Sequence, residues 1–262
     1  TNYERLKFVI NPVNDTTDTT YALQISTDST FATNINYVKG VDNTMGSTLT
    51  TADFKSYTAW GSAGGNYVSG LAQGTTYHLR VKARQGNFTE SEYGPSASVA
   101  TSNATLSFAI DAASLTCNNL NASNSYTDSN KTTILTTSTN AYNGYLVNAR
   151  ETAALTALNI GTIANYVSPN SAPTTWSGFG FGYTTDDNNL TGGTADRFTN
   201  GGPKYAGFTT SSPGDPVADH AGPVTTAISN ENFTISYKVA VSTTQAAAQY
   251  TNTVLYIVVP NY

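Results

Sequence analysis

The sequence predicts an all-β fold, organised as two tandem β-sandwich domains, and three observations carry that expectation. The first is composition. Charged residues make up 11% of the 262 positions, where about 25% is usual. Their place is taken by 44 Thr, 24 Ser and 27 Asn. Thr and the 17 Tyr suit a pleated, half-solvated surface, while Asn and the 21 Gly supply turns. The second observation is period: short runs alternate apolar and polar and are bounded by Gly, Pro, Asn and Asp. The third is the scarcity of helix signals. The best, Asn148–Leu158 (NARETAALTAL), has Ala and Leu at loosely helical spacing, with a strand end followed by a turn as the alternative, and Thr244–Gln249 reads as a single turn.

Along the first hundred residues the pattern predicts strands at Arg5–Ile10, Tyr21–Ser26, Tyr37–Gly40, Tyr57–Thr58, Asn66–Ser69, Thr76–Arg84 and Ser96–Thr101. About seven short strands in such a length is the count of an immunoglobulin-like sandwich. The sixth run is the clearest. Tyr77, Leu79, Val81 and Ala83 fall on one face, and His78, Arg80, Lys82 and Arg84 on the other.

Gly70-Leu71-Ala72-Gln73-Gly74-Thr75-Thr76-Tyr77, continued by Leu79-Arg80-Val81-Lys82-Ala83, resembles the E–F corner and F strand of a fibronectin type III domain. Leu71 stands six residues before Tyr77, and the resemblance implies that the Tyr77 hydroxyl bonds back to the corner. Ser91, Tyr93, Gly94 and Pro95, then Ala97, Val99 and Thr101, are similar to that family's tail and last strand. The early core tryptophan of the family is missing, and Trp60 sits on a middle segment instead. The stretch Asp53–Trp60 reads as an insertion. These features place the first domain at residues 1–102 and the second at 103–262.

The second half predicts strands at Thr105–Ile110, Thr132–Ser138, Gly144–Val147, Thr162–Ala164, Gly178–Tyr183, Phe233–Val241 and Tyr250–Val259, with a long loop at Asp186–Pro223. A loop of that length inside a compact domain is usually functional or disordered. Ser138–Tyr145 (STNAYNGY), Trp176–Gly180 (WSGFG), Tyr237–Ala240 (YKVA) and Tyr250–Val254 (YTNTV) resemble a β-sandwich repeat of bacterial surface proteins, common in candidate phyla. That resemblance implies a cell-surface location more than an activity.

Net charge is −5 and the isoelectric point near 4.8. Nucleic acid needs a basic stripe to replace its counterions, and this balance argues against it. No apolar run of 18 residues exists, so the sequence predicts no membrane insertion. The chain opens at Thr1 without a leader, which reads as a mature or excised product. The lone Cys117 reads as a small buried hydrophobe, or alternatively as an intermolecular bridge or reactive thiol.

Catalytic patterns are thin, and the expectation is a protein that is not an enzyme. No G-x-S-x-G elbow occurs. His220 beside Asp219 could orient a proton, but equally reads as a loop histidine, and His78 reads as a solvated strand residue. Two His and one Cys make a zinc site improbable. Calcium is the one cofactor considered. Asp186 and Asp187, with Asn188, Asn189 and Asp196, form the best oxygen cluster, and Asp15 with Asp18 a thinner one. Lys238 and Asn252 lie on successive strands and raise an isopeptide crosslink, without an evident carboxylate between them. The seven N-x-S/T sites, at Asn14, Asn87, Asn103, Asn121, Asn130, Asn189 and Asn232, are about the number that chance supplies and carry no weight.

Two functional expectations remain. In the first, the chain polymerises with itself as an extracellular, cell-surface filament or surface-layer subunit. The strongly β termini, Thr1–Ile10 and Thr253–Val259, would pair with neighbours. In the second, it is an adhesin or carbohydrate-binding module that meets glycans or a partner cell. Trp176, Phe179, Phe181 and Tyr183 would form an aromatic platform, although the same alternation suits a core strand.

Overall fold

The computed structural model describes residues 3–12, 16, 18–86, 89–117, 120, 131–224 and 226–261. The protein is all-β: among the described residues the only helices are two single 3-10 turns, Thr51–Asp53 and Ser62–Gly64. The chain divides into two compact units, Thr1–Ala104 and Thr105–Tyr262.

The first unit runs β1 (Leu6–Phe8), β2 (Thr19–Ser26), β3 (Asn36–Val38), β4 (Met45–Gly46), β5 (Lys55–Ser56), β6 (Asn66–Val68), β7 (Thr76–Gln85), β8 (Thr89–Glu90) and β9 (Ala97–Ala100). Strand β7 is the spine of the larger sheet. It pairs antiparallel with β2 from Thr19↔Gln85 to Ser26↔His78, and on its other side with β8 and β9. Strands β1 and β6 form a second, two-stranded sheet, with Leu6 opposite Val68. Period-two alternation sends Leu6, Phe8 and Ile10 into one core with Leu23, Ile25, Tyr77 and Leu79. Trp60 fills the centre of that core, 1% exposed, and its indole N–H donates to the Tyr21 carbonyl at 2.7 Å. Phe8 meets the indole edge-on, with centroids 5.5 Å apart.

At the corner before β7, Leu71 and Tyr77 are both buried, and the Ala72 N–H donates to the Tyr77 hydroxyl at 2.9 Å. The outer face of β7 carries its cations under aromatic rings. Arg80 lies 4.1 Å from the Phe31 centroid and 4.4 Å from that of Tyr93, and Arg84 lies 4.2 Å from that of Phe54. Such stacking covers the guanidinium stems at little desolvation cost.

Beside β1 lies a groove of about 920 Å³. One wall is Lys7–Pro12, the other Ala97–Val99 of β9, and Leu23, Leu79, Val81 and Ala83 line the interior.

The second unit runs β10 (Leu106–Ile110), β11 (Thr132–Thr139), β12 (Gly144–Glu151), β13 (Leu155–Ala157), β14 (Gly161–Ile163), β15 (Thr174–Thr175), β16 (Gly180–Thr185), β17 (Lys204–Gly207), β18 (Asp215–Ala221), β19 (Ile228–Ala240) and β20 (Val254–Pro260). One sheet has the order β10-β11-β19-β16-β17-β15, the other β18-β12-β20, and β13 and β14 form a hairpin. Leu135, Tyr145, Val147, Phe181, Tyr183, Phe208, Val217 and Ile235 belong to the core between the sheets.

Two expectations change here, and of the two readings of residues 148–158 the strand end followed by a turn holds. Residues 148–158 are not helical: β12 continues to Glu151 and β13 follows, because pairing with β20 across Asn148↔Ile257 to Glu151↔Val254 outweighs local alanine propensity. The segment Asp186–Pro223 is not one loop, since it contains β17 and β18. Its strands were hidden because β17 is four residues with a glycine and β18 opens on Asp-Pro, both turn-like signals. The β-rich terminal segments are not spare: β1 pairs with β6 and β20 with β12 inside the fold.

Candidate functional site

The four aromatics expected to share a platform separate. Phe181 (8% exposed) and Tyr183 (0%) point inward from β16 into the core, where Tyr183 packs on Phe208 at 4.4 Å and accepts a hydrogen bond from the Asn170 amide at 2.8 Å. Phe179 is 57% exposed and Trp176 is half-buried. The alternation is that of a core strand, and only Trp176 and Phe179 of the four reach solvent.

Trp176 instead heads a different cluster on the outer face of the larger sheet. Its ring stacks on Tyr166, with centroids 4.2 Å apart and planes 11° apart, and meets Tyr205 edge-on at 5.3 Å. The Lys238 ammonium lies 5.1 Å from the Trp176 and Tyr205 ring centroids. Four elements supply these groups: the segment after β14, the segment after β15, β17 and β19. Glycines make the approach possible. A Cβ on Gly182 would come within 3.0 Å of Tyr166 Cβ, and one on Gly207 would run into the Tyr166 carbonyl. The bare sheet surface therefore lets the Tyr166 segment lie flat across β16 and β17. Tyr166 is fixed further by its hydroxyl, which donates to the Thr175 carbonyl and accepts from the Ser177 N–H, both at 3.1 Å. Burial lowers the Lys238 ammonium below the usual lysine range, and Tyr166 partly opposes the effect.

Asp186 and Asp187 also diverge, as neighbours on an extended segment must. Asp186 is exposed and accepts the Thr234 N–H at 2.8 Å. Asp187 is 4% exposed and accepts the Asn189 N–H at 2.9 Å and the Asp219 N–H at 2.7 Å. Their carboxylates do not converge on one cation, and no cluster of three His, Cys, Asp or Glu able to hold a metal occurs among the described residues. Burial, with Asp219 nearby, pushes the Asp187 carboxyl up to about 6 despite the two backbone N–H groups. Asp18 is exposed and accepts the Thr16 hydroxyl, while Asp15 lies outside the described residues.

Beside Asp187 sits a group that sequence reasoning missed. Arg197 is 7% exposed, and its guanidinium donates to the Leu190, Thr191 and Asn170 carbonyls and to Asn170 Oδ1, at 2.6–2.9 Å. Asn170 passes the network on to Tyr183 and to the Pro216 carbonyl. The knot holds the 186–203 segment to the core. An arginine in a Gly-Thr-Asp stretch gave no pattern by which to foresee it.

His220 pairs not with Asp219 but with Glu231, Nδ1 to Oε1 at 2.9 Å, and the Tyr145 hydroxyl donates to Oε2 of the same carboxylate at 2.7 Å. Strand alternation explains the switch: His220 lies opposite Tyr145 of β12, on the face of the sheet that meets β19, and Asp219 lies on the other face of β18. The triad links β12 and β18 of one sheet to β19 of the other. His78 lies half-buried on the outer face of β7. Lys238 and Asn252 have different partners: the Asn252 amide donates to Glu151 Oε2 at 2.9 Å, while Lys238 sits against its rings. Glu151 is wholly buried, also accepts from Asn165, and is raised above the usual carboxylate range by burial. Cys117 is exposed rather than buried. Asn103, Asn189 and Asn232 are exposed, and Asn14, Asn87, Asn121 and Asn130 lie outside the described residues. No described helix is long and apolar enough to cross a membrane.

No family model, curated protein or solved structure matches the chain.

Proposed function

We propose that the chain is an extracellular structural protein, a subunit of a cell-surface filament, pilus-like appendage or surface layer, that joins further copies of itself through β-strand edges. The observation that supports this reading is the groove beside β1. Among the described residues β1 is hydrogen-bonded only to β6, and β9 only to β7, so two unpaired edges border one apolar-lined slot of about 920 Å³. An added strand would satisfy those backbone groups and cover Leu79 and Val81 together. The second unit offers matching edges. Strand β10 pairs only with β11 and β20 only with β12 among the described residues. Leu106 and Ile110 flank Phe108 on the core-facing side of β10, yet remain 39% and 41% exposed.

The test is assembly. Concentrated protein should form ordered oligomers or filaments by light scattering and electron microscopy. Replacing Val9 and Val99, both exposed at the slot, by Lys should abolish them while leaving circular dichroism unchanged. A wild-type protein that stays monomeric at every concentration, with bare grids, overturns the proposal.

A further inference from the structure

The outer-face cluster around Lys238 is not used by strand pairing. Two of its donors are unanswered. Among the described residues the Lys238 ammonium has neither a carboxylate nor a hydrogen-bond acceptor beside it, only rings. The Trp176 indole N–H is buried and has no hydrogen-bond partner among the described residues. A half-buried cation without an anion is costly, and cation–π contact answers only part of the deficit. On a chain of net charge −5, a lysine with no carboxylate at ion-pair distance among the described residues is a selective point for an anion. The surroundings narrow the class of ligand. Thr174, Thr175 and Ser177 are exposed hydroxyl residues flanking Trp176, and Phe179 presents a further exposed ring three residues on. An aromatic face with hydroxyl neighbours suits a ring that is apolar on its flat side and hydroxylated at its edge.

We propose that this cluster is a binding site for an acidic saccharide, with the carboxylate or sulfate on Lys238 and the pyranose ring against Trp176. The assignment is independent of the assembly reading, and either can fail alone. Tyr166 positions Trp176 by stacking on its ring, and Tyr205 holds the lysine with a second ring 5.1 Å away.

Calorimetric titration of the full chain with three probes tests it: an oligogalacturonate, which carries carboxylates only, a carrageenan oligosaccharide, which carries sulfates only, and a neutral cello-oligosaccharide. At least one acidic probe should bind, and at least tenfold more tightly than the neutral one. Affinity should fall as salt rises. Lys238→Gln should lose tenfold or more for the acidic probe alone. Trp176→Leu should weaken it as well, and Lys204→Gln, on the same sheet, should not. The carboxylated and sulfated arms decide which anion is preferred. Equal affinity for acidic and neutral probes, no binding of either acidic probe at millimolar concentration, or a Lys238→Gln variant that is well folded and binds like wild type overturns the proposal.

Discussion

The Asp219 N–H donates to the Asp187 carboxylate at 2.7 Å, which brings two acidic residues from separate segments into one buried site. Backbone donors and the nearby Arg197 moderate the repulsion, but burial dominates and the Asp187 carboxyl is pushed up to about 6. The folded protein therefore holds a proton that the unfolded chain, with a carboxyl near 3.9, has already released. Stability from this group is present at low pH and declines as pH rises from about 4 to about 6. The decline is at most about 3 kcal/mol for a shift of this size. Urea midpoints measured at pH 4 and pH 7 should show it, and Asp187→Asn should flatten that difference.

Arg197 should be the most sensitive position in the second unit. Its guanidinium makes four hydrogen bonds inside the fold. Arg197→Met removes the donors and leaves Asn170 and the Leu190 and Thr191 carbonyls unanswered. The expected loss is about 3–5 kcal/mol in urea unfolding. Arg197→Lys should recover little, because a single ammonium cannot span the same fork of acceptors.

Asp53 runs the opposite way. Burial alone would raise it, but the Lys39 ammonium, the Gly40 N–H and the Thr50 N–H and hydroxyl outweigh that and bring it to about 2. Its contribution is complete above about pH 4 and is lost as pH falls through about 2. Asp53→Asn should cost about 2 kcal/mol at pH 7, and the gap between variant and wild type should narrow in acid unfolding.

Trp60 tests the core of the first unit. Trp60→Phe should cost about 2–3 kcal/mol, combining lost volume with an unanswered Tyr21 carbonyl. Trp60→Ala should exceed it, at about 3–5 kcal/mol, with thermal unfolding as the measure.

The Leu71–Tyr77 corner and the alternation of Thr76–Arg84 were legible because both are local. A strand's period is written in neighbouring residues; the corner was expected from its resemblance to fibronectin type III domains, and the Tyr77 hydroxyl needed only Ala72, five positions away. Strands β17 and β18 were not legible, because a four-residue run or an Asp-Pro start becomes a strand only when another strand is there to pair. The candidate site was half legible. Trp176 could be picked out as a large aromatic beside glycines, but Tyr166, Tyr205 and Lys238 come from other elements and meet only across the sheet.

By itself, then, the sequence determined an all-β chain, through composition and a two-residue period that hydrogen bonding along a strand imposes. The tertiary structure decided which face each aromatic took. Phe181 and Tyr183 went inward because the register with β19 sets them opposite Val239 and Tyr237, on the face of the sheet that covers the core. It also decided which edges stayed open beside the β1 groove and which carboxylates parted. Those are long-range matters, fixed by the order in which strands lie beside one another and not by any residue's neighbours in the chain.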